Sequence, residues 1–273
     1  MKTVLRCLIS ISLLFAVTTV KAEHLTFGIV PQQSAHTLAK RWTPVFQYLS
    51  EKTGEDIRFS TAKDIPTFEK RLVAGEYDIA YMNPYHYTVF NKVPGYQAMA
   101  KQTDKLIKGI VVVRKDSPYE KLADLNNKQL AFPAPAAFAA SVVPRSIMEQ
   151  QGIYITPQYV SSHESVYLGV ARGFFVAGGG VMRTFNNMAP EVKEQLRVLW
   201  TTPDYTPHAI AAHPRVSSEK IAKLKQALLG MSDDPEGIAL LKTINFAGFS
   251  LSENADWDDV RALNIKLLDA LIK

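Results

Sequence analysis

The sequence contains a single cysteine, Cys7, which lies close to the N-terminus. One cysteine cannot form an internal disulfide, and it cannot supply the several thiolates of a cysteine-rich zinc or iron–sulfur site. Cys7 lies before the apolar stretch of residues 8–17 and not after it, so it cannot be the lipid-carrying cysteine that ends a lipoprotein signal. A chain of 273 residues with 47% apolar side chains must therefore be stabilised by its hydrophobic core.

The sequence also lacks an apolar run long enough for a membrane-spanning helix. Residues 8–17 are mainly apolar, but they are interrupted by serines and fall short of the roughly 20 residues that such a helix needs. Lys2 and Arg6 precede this stretch, and Val20-Lys21-Ala22 follows it, which is the layout of a secretory signal. We expect cleavage after Ala22, a signal peptide spanning residues 1–22, and a periplasmic mature protein.

Strong net charge is absent as well. The formal charge is +5, and removal of residues 1–22 takes away three of the 31 basic residues and none of the 26 acidic ones, which leaves +2. Nucleic-acid binding requires a concentrated basic stripe with interleaved aromatic residues, and the sequence contains none. We therefore expect no nucleic-acid partner.

Familiar catalytic and metal-binding patterns are missing too. The sequence has no His-Glu-x-x-His spacing and no Gly-x-Ser-x-Gly elbow, and His208 and His213 are five residues apart. The Gly178-Gly179-Gly180 run lacks the Gly-Lys-Ser/Thr of a phosphate loop, so we interpret it as a flexible connection after a strand. These absences predict a protein that is not an enzyme and has no metal or cofactor.

What the sequence does contain is an alternation of β-rich and helical segments. Predicted strands are followed by helices with apolar steps of three and four, and this pattern indicates parallel sheets covered by helices. The predicted strands lie near residues 25–30, 57–59, 77–82, 130–132, 158–160 and 174–177. Two lone β segments, 107–113 and 208–212, interrupt the alternation, so we expect two α/β units joined by two crossing strands.

Several motifs resemble the substrate-binding proteins of phosphate, phosphite and phosphonate importers, a branch of the type II periplasmic binding proteins. They include Gly28-Ile29-Val30-Pro31 and the run from Gly75 to Tyr87, which follows the family pattern Gly-x-x-Asp-(Ile/Val)-Ala-(Tyr/Phe)-x-(Gly/Asn)-Pro-x-x-Tyr. Ser162-His163-Glu164 matches a third family motif. The resemblance implies a two-lobed α/β fold in which each lobe is a mostly parallel sheet flanked by helices, with the ligand between the lobes.

The chain departs from the family at its most diagnostic loop. The family has Phe-x-Asp-Pro-x-Ser-x-Ser-Gly-x-x-x-Pro, whose hydroxyls and free N–H groups hold the oxyanion, and residues 132–144 keep the spacing but not the chemistry. Ala134, Ala137 and Ala139 replace the acid and both serines, and Val176 stands where a second acid is expected. A simple phosphate or phosphonate is therefore not the expected ligand. Helix N–H groups near Phe138 leave a weaker or differently shaped anion open, and an apolar or aromatic ligand fits the replacements at least as well.

Nine residues are candidate ligand contacts because they lie on loops that follow strands. The aromatic and polar groups among them suit a small polar or cationic ligand, but each could instead serve as a helix cap, a turn or part of the core. Phe138 in particular could stack on a ligand or simply fill the pocket. The candidates are Gln33, Tyr81, Asn83, Tyr85, His86, Phe138, Ser141, His163 and Glu164.

We therefore expect a monomeric solute-binding protein. Its first lobe is predicted to comprise residues 23–107 and 213–273, its second lobe residues 108–212, and its hinge the β segments near 107–113 and 208–213. The expected partners are a small-molecule ligand and a membrane ABC permease. Two alternatives remain: a periplasmic sensor that signals to a membrane kinase or cyclase, and, less favoured, a periplasmic enzyme on the same scaffold.

Overall fold

The structure is a computed structural model that describes residues 24–273. The predicted signal peptide lies outside the described residues. In chain order the strands are β1 Leu25–Ile29, β2 Ile57–Ser60, β3 Ile79–Met82, β4 Gln97–Gln102, β5 Gly109–Arg114, β6 Gln129–Phe132, β7 Thr156–Tyr159, β8 Ala177–Val181, β9 Leu196–Thr201, β10 Ala209–Ala212 and β11 Phe249–Leu251.

Helices connect most of these strands. They are α1 Ala35–Thr53, α2 Ile65–Val73, α3 Pro84–Phe90, α4 Val143–Gln150, α5 His163–Ala171, α6 Met182–Asn186, α7 Pro190–Lys193, α8 Ser218–Gly230, α9 Pro235–Thr243 and α10 Asp258–Arg261. A π-helical turn, Phe138–Val142, leads into α4, and short 3₁₀ turns occupy Leu122–Leu125, Asn254–Trp257 and Asp269–Leu271. No helix among residues 24–273 is long and apolar enough to cross a membrane.

The strands form two sheets, one for each lobe. The first has the order β11-β4-β10-β3-β1-β2 and the second the order β7-β6-β8-β5-β9. In the first sheet β1 is parallel to β2 and β3, while β10 is antiparallel to both of its neighbours. In the second sheet β6 is parallel to β7 and β8, while β5 is antiparallel to β8 and β9. Two strands, β10 and β11, thus run against the βα units in the first lobe, and one strand, β5, does so in the second.

The chain passes between the lobes twice, from β4 to β5 and from β9 to β10. Ile107 and Tyr205, one on each crossing, form an antiparallel bridge with N···O distances of 2.8 and 3.1 Å. The predicted lobe boundary places residues 209–212 in the second lobe. The structure corrects this, because these residues form the apolar strand β10, which is buried in the first sheet between β3 and β4. The β segments near 107–113 and 208–213 are predicted to form the hinge. The crossings lie just before β5 and β10 instead and are not formed by those strands.

Helix α1 shows how sequence periodicity builds the first lobe. Ser34 caps its N-terminus by accepting a hydrogen bond from Thr37 N, and Gly54 ends it in the left-handed conformation with φ of 73°. Leu38, Trp42, Phe46 and Leu49 are all buried, as their spacing predicts. The helix continues through Pro44.

The three consecutive glycines lie inside strand β8, which corrects their interpretation as a flexible connection. A Cβ atom on Gly179 would lie 2.0 Å from the Ala140 carbonyl oxygen, and one on Gly180 would lie 2.0 Å from the Tyr167 hydroxyl. The glycines are therefore required by close packing in the middle of the second sheet, and the strand continues to Val181.

Candidate functional site

The candidate site is the cleft between the lobes, where loops at the carboxyl ends of strands meet. These loops follow β1, β3, β6, β7 and β8, and the parallel strands in each sheet bring their carboxyl ends to one edge. Hydrogen bonds that cross the cleft include His163 N to Gln32 O at 3.1 Å, Asn83 Nδ2 to Ala136 O at 3.2 Å, and Ser34 N to Glu164 Oε2 at 3.2 Å. The structure thus shows the two lobes closed on each other.

The loop that corresponds to the family's anion-binding loop packs directly on the first lobe. Ala134, Ala137 and Ala139 are buried, and Phe138 is 1% exposed, with its ring edge-on to Tyr205 at a centroid distance of 5.2 Å. Together they belong to the same apolar core cluster as the first lobe. Only about 10 Å³ of free space remains beside Asn83, Phe138 and His163, which is about enough for one water molecule.

His163 lies at the start of α5 and is held in the neutral form. Its Nδ1 lies 3.2 Å from Thr184 Oγ1, and its side chain is almost completely buried. Burial, with a smaller contribution from the charge of Arg183, lowers the pKa of His163 to about 3. His163 can therefore contribute a neutral imidazole to the cleft but not a cation.

A second and larger space opens beside this point. Its volume is about 680 Å³, and Tyr81, Arg183 and His208 form part of its wall. The Tyr81 and His208 rings stack with centroids 4.9 Å apart and planes at 18°, and the Arg183 guanidinium lies 5.7 Å from the Tyr81 ring centre. This volume is in the range of small-molecule binding sites.

Gln32 connects the residues of this wall across the cleft. Its Oε1 accepts a hydrogen bond from Arg183, so its Nε2 is free to donate to His208 Nε2 at 3.0 Å. Such a bond requires an unprotonated Nε2, and burial, followed by the charge of Arg183, indeed lowers the pKa of His208 well below its usual value. His208 is thus a neutral ring in this wall.

The structure brings six of the predicted contacts close to the cleft. Asn83, Phe138 and His163 line the small space, Tyr81 lines the large cavity, Glu164 joins the lobes, and Gln33 is buried beside Gln32 on the loop after β1. Ser141, the one hydroxyl left in the diagnostic loop, is buried, and its Oγ hydrogen-bonds to no other described residue. These placements do not by themselves establish ligand contact.

Tyr85 and His86 are held elsewhere, which corrects their assignment to the cleft. The Tyr85 hydroxyl accepts a hydrogen bond from Leu268 N at 2.9 Å, and His86 Nε2 lies 2.9 Å from Glu69 Oε1 inside the first lobe. Both residues lie on α3, whose N-terminus Asn83 caps, and both are buried. Neither lines either of the two cavities.

Sequence reasoning missed Arg183, Thr184 and His208. The interpretation of Gly178-Gly179-Gly180 as a connection predicts a strand that ends at residue 177, whereas β8 continues to Val181. The residues after its true carboxyl end therefore fall outside the predicted site loops. His208 precedes β10, an antiparallel strand whose partners the sequence does not reveal. A longer β8 would have placed Arg183 among the loop residues to inspect.

Comparison with known proteins identifies the family. The family model described as ABC transporter, phosphonate, periplasmic substrate-binding protein matches residues 27–257. The chain belongs to this family. The resemblance stated from the sequence motifs is therefore confirmed, and so is the expectation of a periplasmic substrate-binding protein of the ABC phosphonate transporter type.

Curated relatives and solved structures agree with this assignment. The chain is 24% identical over 254 residues to the phosphonates-binding periplasmic protein of Escherichia coli, covering 88% of this chain and 75% of that protein. It is 22% identical over 237 residues to the phosphate-import protein PhnD of Mycolicibacterium smegmatis, covering 74% of this chain and 70% of that protein.

Two solved structures carry the fold comparison. One is a binding-protein component of an ABC phosphonate transporter from Pseudomonas aeruginosa, with a TM-score of 0.81 at 18% identity, covering 88% of this chain and 85% of that one. The other is PhnD1 from Prochlorococcus marinus in complex with methylphosphonate, with a TM-score of 0.81 at 18% identity, covering 89% and 97%. At this identity the likeness establishes the two-lobed type II fold, which confirms the predicted fold class.

Proposed function

We propose that this chain captures a solute between its lobes and delivers it to an ABC permease, and that the solute is not phosphate, phosphite or a simple phosphonate. Membership of an importer family supports a permease partner over a sensor kinase or cyclase. The observation that carries the statement about the ligand is the diagnostic loop, which has alanine at both of the family's serine positions and whose Phe138 is buried against the opposite lobe.

Two physical arguments support this proposal. A tetrahedral oxyanion removed from water needs donors, each contributing about 1.5–3 kcal/mol when the hydrogen bond is charge-assisted. Ala134, Ala137 and Ala139 supply no side-chain donor. The space of about 10 Å³ beside Phe138 is also smaller than such an anion. The missing donors and the small volume thus both disfavour binding of a tetrahedral oxyanion at this loop.

Titration calorimetry with phosphate, phosphite and methylphosphonate tests the proposal. The Prochlorococcus marinus protein solved with methylphosphonate serves as the positive control for the assay. We expect no binding to this chain at millimolar ligand, and a micromolar Kd for any of the three would contradict the proposal. A Phe138→Ala variant separates the two arguments, because it creates space without adding donors and is expected to remain unable to bind these anions.

Mass spectrometry of small molecules that co-purify with the protein tests whether the protein binds its solute without altering it. We propose that the solute leaves the protein chemically unchanged, since the family is one of periplasmic substrate-binding proteins. Incubation of the released solute with fresh protein is expected to leave its mass unaltered. A change in its mass would indicate an enzyme on this scaffold.

A further inference from the structure

The cavity of about 680 Å³ beside Tyr81 is lined by both polar and apolar side chains. Polar groups include Arg183, Asn186 and Asn245. Apolar ones include Leu106 and Met182, which are 52% and 37% exposed. A cavity with this mixed lining suits a ligand that has a polar head and an apolar body.

Arg183 is the strongest polar group in this cavity. A guanidinium has five N–H donors, and the bond to Gln32 uses only one of them. Among the ion pairs of residues 24–273, Arg183 has no carboxylate partner, whereas Arg114, Arg215 and Arg261 each have one. The remaining donors of Arg183 are thus available for an anion, and their planar arrangement matches a carboxylate or phosphonate head.

A second guanidinium increases the positive charge nearby. Arg41, on α1, is close enough to Arg183 that their repulsion, after burial, lowers the pKa of Arg41. Two acids line the cavity, Asp104 and Asp204, against the three cations Lys105, Lys108 and Arg183, and Asp204 is paired with Lys108 at 3.3 Å. The local charge therefore favours an anionic ligand over the cationic one that the aromatic residues alone allowed.

Tyr81 adds a directional donor at the same place. Its side chain is 3% exposed, and its hydroxyl forms no hydrogen bond with another residue of the described chain. Its ring is held between His208 and Trp42, which fixes its direction. A hydroxyl with no protein partner at a cavity wall is available to a ligand.

We propose that this cavity, and not the loop around Phe138, is the ligand site, and that it takes an organic anion with an apolar body. Arg183 and the Tyr81 hydroxyl would hold the carboxylate or phosphonate head, and the apolar side chains would hold the body. This inference rests on the proposed function, because it identifies the ligand class of the same cleft. It moves the anion contact from the loop after β6 to Arg183, which follows β8, and to Tyr81 in β3.

Binding of benzoate, phenylphosphonate and benzamide, measured by titration calorimetry and thermal shift, tests the proposal. The first two probes share a flat ring and differ only in the anionic head, while benzamide is a neutral analogue of benzoate. We expect saturable binding of benzoate, phenylphosphonate or both, with benzamide at least about tenfold weaker. The stronger of the two anions identifies the head group.

Arg183→Gln is expected to weaken anion binding by about tenfold or more and to remove the preference for the anions over benzamide. Arg183→Lys, which keeps the positive charge, is expected to retain part of that preference. Arg172→Gln, which changes an exposed arginine at the end of α5, is the matched control and is expected to bind like the unmodified protein. Urea unfolding of each variant shows whether it is folded. Equal binding of benzoate and benzamide, unchanged binding in Arg183→Gln, or no binding of any probe would overturn the inference.

The failures of the two proposals are distinguishable. Micromolar binding of methylphosphonate contradicts the proposed function itself. A co-purifying solute whose affinity is unaffected by Arg183→Gln leaves the proposed function intact and refutes only the assignment of this cavity.

Discussion

Replacement of His163 by Asn is expected to make protein stability less sensitive to acid. His163 is buried, and burial together with Arg183 lowers its pKa from 6.5 to about 3 in the folded protein. Between these two pH values the unfolded chain binds a proton that the folded chain does not, so the free energy of unfolding rises with pH. The stability is fully present above about pH 6.5 and is lost progressively as the pH falls toward 3.

The size of the effect follows from these values. Each unit of pKa difference corresponds to about 1.36 kcal/mol. Burial of His163 is therefore expected to lower the free energy of unfolding by about 2 kcal/mol at pH 5, relative to neutral pH. His208 contributes in the same direction, because its pKa is also lowered by burial. Burial and the charge of Arg183 remain in the variant, whereas His163 is the smallest cause of the lowered His208 pKa, so the difference between the two proteins reports mainly on His163.

Urea unfolding at about pH 7.5 and pH 5 measures this difference. The unmodified protein is expected to lose about 2 kcal/mol more than His163→Asn between the two conditions. Asn retains a polar group near the position of Nδ1, which lies 3.2 Å from Thr184 Oγ1. His36→Asn, at an exposed position on α1, is the control and should behave like the unmodified protein. Equal losses in all three proteins would refute the burial of a neutral His163.

Three further predictions concern packing and capping. Gly179→Ala is expected to cost about 1–3 kcal/mol or more, since its Cβ would lie 2.0 Å from the Ala140 carbonyl oxygen, whereas Gly230→Ala, with no atom within 4 Å, should be neutral or stabilising. Trp42→Ala, which removes a side chain only 2% exposed, is expected to cost about 3–5 kcal/mol. Asn83→Ala removes the N-cap of α3 and a bond across the cleft, and is expected to cost about 0.5–2 kcal/mol. Urea unfolding checks all three, and a loss in Gly230→Ala equal to that in Gly179→Ala would contradict the packing argument.

The sequence by itself determined the βα units and the order of their loops. Helix α1 is predicted by its apolar spacing, by Ser34 at one end and by Gly54 at the other, because these signals act between residues close in the chain. The same local motifs were sufficient to predict the family and the two-lobed fold, and the family comparison confirmed both. Asn83, Phe138 and His163 lie on loops identified in this way.

Tertiary structure alone decided which of these residues meet. The three glycines of β8 look like a linker in sequence, and only the approach of Ala140 and Tyr167 from other elements shows why a buried strand needs them there. The partners of β10 and the pairing of Gln32 with Arg183 across the cleft join residues more than 100 positions apart. Such contacts depend on how the two sheets pack, and local spacing carries no information about them.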